Sequence, residues 1–357
     1  MIPPTSSTAS VRRRIFVYSA VLALWATPAF ALKYAAPEHQ LKADPALPKW
    51  TPGPVTVQPE EEFNLVGADI MDEITLGWVK LMRQAYPRLS VTMEARASGS
   101  GVNALTAGIA HAAPVGREAL PAEHDAFVKK FGYEPFAIKV ATGSLGSLGK
   151  TATSIILVAK DNPIKGLTFK QLDQIYSKSH KRGGGDITTW GQLGLTGEWA
   201  NRPIHTYGLK PPNGIEQFVK WKVLDNGEWR DGIQNVKGQG FIHAFTVASN
   251  DMHTQIGGLT YALLANLTPD VRVVPLAEKE GDPFIMPTID TVYHHTYPLS
   301  RYVYIYLNRP PGTALEPKTK EFLKLVLSKQ GQDVVAAEGV FMPLLPEVVQ
   351  EELAKLN

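Results

Sequence analysis

The sequence predicts an α/β protein built as two lobes, on three observations. The chain has 357 residues, 44% of them hydrophobic, which is more than one small core needs. From Phe63 it repeats a strand, a small or polar turn and an amphipathic helix, the pattern of βα units and of a largely parallel sheet. The stretch Ala97–Gly108, ASGSGVNALTAG, sets a small-residue loop against a helix start, at the carboxyl end of a strand where such folds hold their ligands.

The elements justify this in order. Arg12, Arg13 and Arg14 precede an apolar run from Ile15 to Ala26, and Ala29-Phe30-Ala31 supplies the small residues that a signal peptidase reads. Residues 1–31 therefore read as a secretory signal peptide cleaved after Ala31. The run is short for a membrane span and meets Pro28. The chain carries 36 Lys and Arg against 34 Asp and Glu, and losing three arginines with the leader leaves the mature protein close to neutral. It lacks the basic runs that nucleic acid or an anionic membrane surface requires. The absence of cysteine excludes disulfides, thiolate nucleophiles and cysteine-ligated metals. Residues 32–62 are rich in Pro, Lys and Glu without periodicity, and read as an extended N-terminal arm contributing little core.

Phe63 to Gly67 reads as a strand, and Ile70, Ile74, Val79, Met82 and Tyr86 share the apolar face of a helix that Pro87 ends. Leu89 to Ala95 is the next strand, and Val102, Leu105 and Ile109 follow the SGSG loop at helical spacing. Pro135 to Ala141 and Thr153 to Lys160 are strands on either side of a Gly/Ser/Thr segment, and Thr168 caps a helix over Phe169 to Tyr176. A strand over Pro203 to Gly208 leads to a helix from Ile215 to Leu224, while Ile233 to Thr246 shows no clear pattern. Val271 to Leu276 and the alternating Tyr302 to Leu307 are strands, and two helices, Thr319 to Leu327 and Gly331 to Glu338, follow.

Ser98, Gly99, Ser100 and Gly101 combine two hydroxyls with little bulk, so backbone N–H groups close on an anion at the positive end of the helix. Arg117, after Pro114-Val115-Gly116, puts a guanidinium fork within reach of that loop, the alternative being a surface pair with Glu118. Arg301 reads as a strand-end or interlobe ion pair. The segment Gly143 to Thr151 has the composition of a phosphate loop, but Ser144 holds a required glycine position and a β-branched strand follows where a helix is needed. His294 and His295, if in a strand, face opposite ways, so no metal site is expected. No GxSxG elbow or triad spacing stands out, which favours binding over catalysis.

These pieces, in this order, resemble the phosphate-binding subunit of ABC phosphate importers, a family of type II periplasmic solute-binding proteins. The resemblance runs from about Phe63 to the C-terminus. It is carried by Leu65-Val66-Gly67-Ala68-Asp69, the SGSG loop and its helix, Ala107-Gly108 leading to Arg117, Asn162-Pro163 with Leu167-Thr168 and Leu172, Ile256-Gly257-Gly258, and Tyr297-Pro298-Leu299-Ser300-Arg301. It implies a type II periplasmic-binding-protein fold, two α/β lobes joined by hinge strands with a ligand cleft between them, and delivery to a membrane permease. Lobe 1 would comprise 63–152 plus 297–357 and lobe 2 153–296, with hinges near Thr153 to Lys160 and Tyr297 to Leu307.

The chain departs from the family at the site. Asp69-Ile70 stands where members carry a Ser/Thr pair, an acid typical of the helix end is replaced around His111, and the second-lobe arginine with its Ser-Gly-Thr helix start becomes Tyr207-Gly208-Leu209-Lys210-Pro211-Pro212-Asn213-Gly214-Ile215. Each lost charged hydrogen bond costs roughly 1.5–3 kcal/mol, so weakened phosphate binding is expected. The resemblance thus implies a periplasmic or secreted monomer, without cofactor or nucleic-acid partner, that captures phosphate or a related oxyanion for an ABC permease. Its ligand residues would be Ala68, Asp69, Ile70, Ser98, Gly99, Ser100, Gly101, Arg117, Asn213 and Gly214. The alternative is the same scaffold repurposed for another small ligand. A secreted phosphoester hydrolase and a scaffold docking through the arm are further readings.

Overall fold

The computed structural model describes residues 37–55, 62–209, 211, 213–235, 252 and 255–357. The expected signal peptide lies outside the described residues, as does most of the unpatterned stretch after Ile233.

The first run of chain begins with β1 (Glu62–Ala68), whose Phe63 and Leu65 are fully buried. A 3-10 turn over Asp69–Met71 leads into α1 (Asp72–Ala85), which buries Ile74, Trp78, Val79 and Met82 at helical spacing. β2 (Ser90–Arg96) returns parallel to β1, with Phe63 opposite Val91. α2 (Ser100–Ala107) ends at Gly108, which takes the left-handed conformation of a C-cap at φ 82°. Then come β3 (Ala113–Val115), α3 (Pro121–Phe131) and β4 (Phe136–Thr142). Ile109 falls beyond α2, which ends at Ala107, and is 61% exposed, so the apolar spacing overran the helix.

The middle of the chain builds a second sheet. β5 (Ser154–Ala159) is buried along its whole length, and the two-residue β6 (Leu167–Thr168) runs into α4 (Phe169–Tyr176). The Thr168 hydroxyl accepts from the Gln171 N–H, the cap the sequence predicts. β7 (His205–Gly208), α5 (Gly214–Lys222), β8 (Gln234–Asn235), β9 (Gly258–Leu263), β10 (Val271–Val274), β11 (Leu276–Ala277) and the short α6 (Ile289–Tyr293) follow. β12 (Tyr302–Leu307) then re-enters the first sheet, and α7 (Pro317–Val326), α8 (Lys329–Glu338) and α9 (Pro346–Ala354) pack beside it.

The expectation of a largely parallel sheet is corrected. β12 lies between β3 and β4, antiparallel to both, and the second sheet runs β10-β5-β9-β7-β8 with β5 antiparallel to both of its neighbours. Among the described residues, the parallel pairings are β1-β2, the β7 pairings, β6-β11 and the bridges Leu65 to Ala112 and Ser144 to Ala152. Local βα repeats report how sequence neighbours connect, whereas β12 arrives from the far sheet in the opposite sense.

Two large apolar cores result. One gathers residues from Ala152 to Leu299 with Met342, and the other takes Ala43 to Ala141 together with Val303 to Leu356. A smaller cluster under α2 and α3 includes Val102, Leu105, Val115 and Phe127. The chain passes from the first sheet to the second through residues 143–153 and back through 297–301. These crossings are tied together where Gly143 N–H donates to Arg301 O (2.8 Å) and Tyr297 OH to Ser154 O (3.1 Å).

The arm is also corrected. Its described part, 37–55, is irregular yet packed, with Ala43 and Leu47 each 3% exposed. The Glu38 carboxylate accepts from the N–H groups of Leu145 (2.9 Å) and Gly146 (3.0 Å), and Trp50 Nε1 donates to Glu321 (2.8 Å). A segment without periodicity still buries apolar side chains when side-chain and backbone partners elsewhere satisfy its polar groups.

Candidate functional site

The loops after β1, β2 and β3 and the start of α5 meet around a cavity of about 260 Å³, lined among others by Ile70, Ser98, Gly116, Arg117, Thr151, Asn213, Gly214 and Arg301. Residues from both cores face one space here. α2 and α5 begin beside it, so the partial positive charge of their N-terminal N–H groups favours an anion, by about 0.3–1 kcal/mol per helix at an exposed site. Asn213 caps α5, its Oδ1 accepting from Ile215 N–H at 2.9 Å.

Of the residues the sequence nominates, Ile70, Ser98, Arg117, Asn213 and Gly214 line this cavity. The others do not, and their positions show why. Ala68 is fully buried at the end of β1, and Asp69 is exposed with its carboxylate accepting from Ile70 N–H (2.9 Å). Ser100 donates its hydroxyl to Gly67 O (3.3 Å) and its N–H to Ala97 O (2.8 Å), so neither group is free. A Cβ on Gly101 would lie 2.6 Å from Val115 Cγ2, and one on Gly99 would lie 3.2 Å from Glu123 Oε1. In SGSG, then, Ser98 faces the cavity while Gly101 lets α2 close on β3.

Arg117 is held by a partner the sequence reading did not name. Its Nη2 and Nη1 donate to the two Glu123 oxygens at 2.7 and 2.8 Å, a bidentate pair, and Nη1 also reaches Glu118 O at 2.9 Å. Glu123 in turn accepts from Leu120 N–H (2.9 Å) at the head of α3. Pro121 and Glu123 in the first turn are a helix-start signature, so α3 and this carboxylate were findable from Leu120-Pro121-Ala122-Glu123. The Arg117 stem packs on α5, its Cδ 3.3 Å from where a Gly214 Cβ would be. Thr151, in the left-handed region at φ 51°, donates its hydroxyl to Gly116 O and so pins the residue before Arg117. That conformation costs a β-branched residue about 1–3 kcal/mol, which the surrounding packing sustains.

Arg301 is 5% exposed, pairs with Glu118 at 2.6 Å and stacks on Phe218 of α5 at 4.4 Å. It also lines a larger cavity, about 600 Å³, with Trp221, His295 and Tyr302. The smaller cavity is the better anion site because it, and not the larger one, has the start of α5, the serine just before α2 and Arg117 on its walls. The segment that mimics a phosphate loop is spent elsewhere: Lys150 pairs with buried Glu338 at 2.6 Å.

Two sheets with crossing strands and a cavity where their loops meet define a type II periplasmic-binding-protein fold. The family model for a PBP superfamily domain matches residues 55–330. The chain is 35% identical over 315 residues to the phosphate-binding protein PstS of Pseudomonas aeruginosa, covering 88% of this chain and 92% of that protein. The chain therefore belongs to the PBP superfamily, within the PstS family of phosphate-binding proteins. Two crystal structures share the fold. An ABC-type phosphate transport receptor from Vibrio cholerae aligns with TM-score 0.50 and 19% identity over 79% of this chain and all of that one. PstS from Borrelia burgdorferi aligns with TM-score 0.50 and 16% identity over 80% of this chain and all of that one.

Proposed function

We propose that this chain is a periplasmic phosphate-binding protein that binds, rather than transforms, its ligand and delivers it to the permease of an ABC importer after removal of residues 1–31. The observation that carries the reading is the cavity where the start of α5, over one large core, meets Ser98 before α2 and Arg117 after β3. Identity to a phosphate-binding protein across most of the chain supports the ligand. In this proposal Ser98, Arg117, Asn213 and Gly214 contact the oxyanion and Ile70 supplies an apolar wall. The lobes follow the two cores, with hinges near Thr153 to Lys160 and Tyr297 to Leu307, and the protein acts as a monomer without cofactor.

Calorimetric titration of the protein from Leu32 onward with inorganic phosphate tests this. One phosphate per chain is expected, and no heat at millimolar phosphate would overturn the reading. A second reading, a different small ligand on the same scaffold, is favoured by the bidentate commitment of Arg117 to Glu123, which leaves that guanidinium electrically balanced. Binding of another solute in place of phosphate would establish it.

A further inference from the structure

We propose that Arg301 is a second anion-binding guanidinium of this cleft. The inference rests on the phosphate reading and names a donor for it. Three observations carry it. Arg301 lines the same cavity as Ser98, Arg117, Asn213 and Gly214. It is 5% exposed, yet among the described residues only its Nη2 donates, to Glu118 Oε2 at 2.6 Å. Its buried Nε has no hydrogen-bond partner, and Nη1 makes none among the described residues. Arg117 is the opposite case, with both terminal nitrogens engaged by Glu123 and Glu118 O.

A buried guanidinium with unused donors is costly unless something accepts from it, and a tetrahedral oxyanion has the oxygens to do so. Phe218, the ring beneath it, belongs to the other core, so the plane of the fork is set by the same approach of α5 that forms the cavity. Filling the cavity would therefore draw Arg301 toward the ligand, at the expense of its single carboxylate partner.

The test uses the protein from Leu32 onward, titrated with inorganic phosphate, in wild-type, R301K, R301Q and E118Q forms. Affinity is expected to fall about 10- to 100-fold in R301Q, to fall less in R301K, and to rise in E118Q, where the guanidinium loses its competing anion. A purely structural ion pair would instead make E118Q and R301Q weaken binding alike, and that result overturns the proposal. Phosphate bound by R301Q as tightly as by wild type also overturns it while leaving the phosphate reading intact. A wild-type protein that binds no phosphate removes both. Should R301Q fail to fold, the Arg301 Nε–H resonance in wild type, assigned with R301K, serves instead. A shift on adding phosphate is expected, and an unchanged signal at saturation contradicts the inference.

Discussion

At the scale of single residues, close approach decides more than charge. Gly67 lies in β1 where that strand passes β3, and a Cβ there would sit 2.0 Å from Pro114 O, a backbone atom that cannot turn aside. Gly67→Ala is expected to destabilise the fold by about 1–3 kcal/mol or more, read as a lower urea midpoint at unchanged slope. His295 gives a pH signature. It stacks on Tyr302 at 3.8 Å, and its Nε2 lies 2.9 Å from Thr142 Oγ1. Burial, and then the charges of Lys139 and Lys222, push its pKa down to about 4. The unfolded chain takes up a proton on this ring near pH 6.5 and the folded chain does not, so stability is full above that pH and falls as pH drops toward 4. The loss is expected to be no more than about 3 kcal/mol, and H295Q, which removes the titrating group, should flatten the denaturation midpoint across that window.

At the scale of elements, the arm is the surprise. Ala43 and Leu47 belong to one core, Leu41 packs against the other, and Glu38 holds the N–H groups of the crossing at Leu145 and Gly146. Deleting residues 32–55 is expected to cost several kcal/mol, since a buried leucine alone is worth about 1.5–3 kcal/mol and each hydrogen bond about 1. An unchanged denaturation midpoint in the truncated protein would contradict that assignment. Strands and caps with a local signal were legible in the sequence: the alternation of Tyr302–Leu307 and the Thr168 cap follow from neighbours in the chain. The arm was not, because its burial depends on partners such as Glu321 and Gln330, almost three hundred residues away. The antiparallel entry of β12 was hidden for the same reason.

At the scale of the molecule, the site was half legible. Ser98, Arg117, Asn213 and Gly214 come from distant parts of the sequence and do converge on one cavity, because two helix starts and the loop after β3 face each other across it. What the residues alone could not show is which charges are already engaged. Arg117 with Glu123 and Arg301 with Glu118 leave the cleft locally balanced, so the proposed site would hold an oxyanion by helix N–H groups and the remaining guanidinium donors.

The most direct test of phosphate capture between the two cores is a crystal structure of the protein from Leu32 onward grown with inorganic phosphate. The account expects tetrahedral density in the cavity beside Ser98, Arg117 and Gly214, within hydrogen-bond distance of the α5 N-terminal N–H groups. An empty cavity at saturating phosphate, or phosphate held only elsewhere, would contradict it.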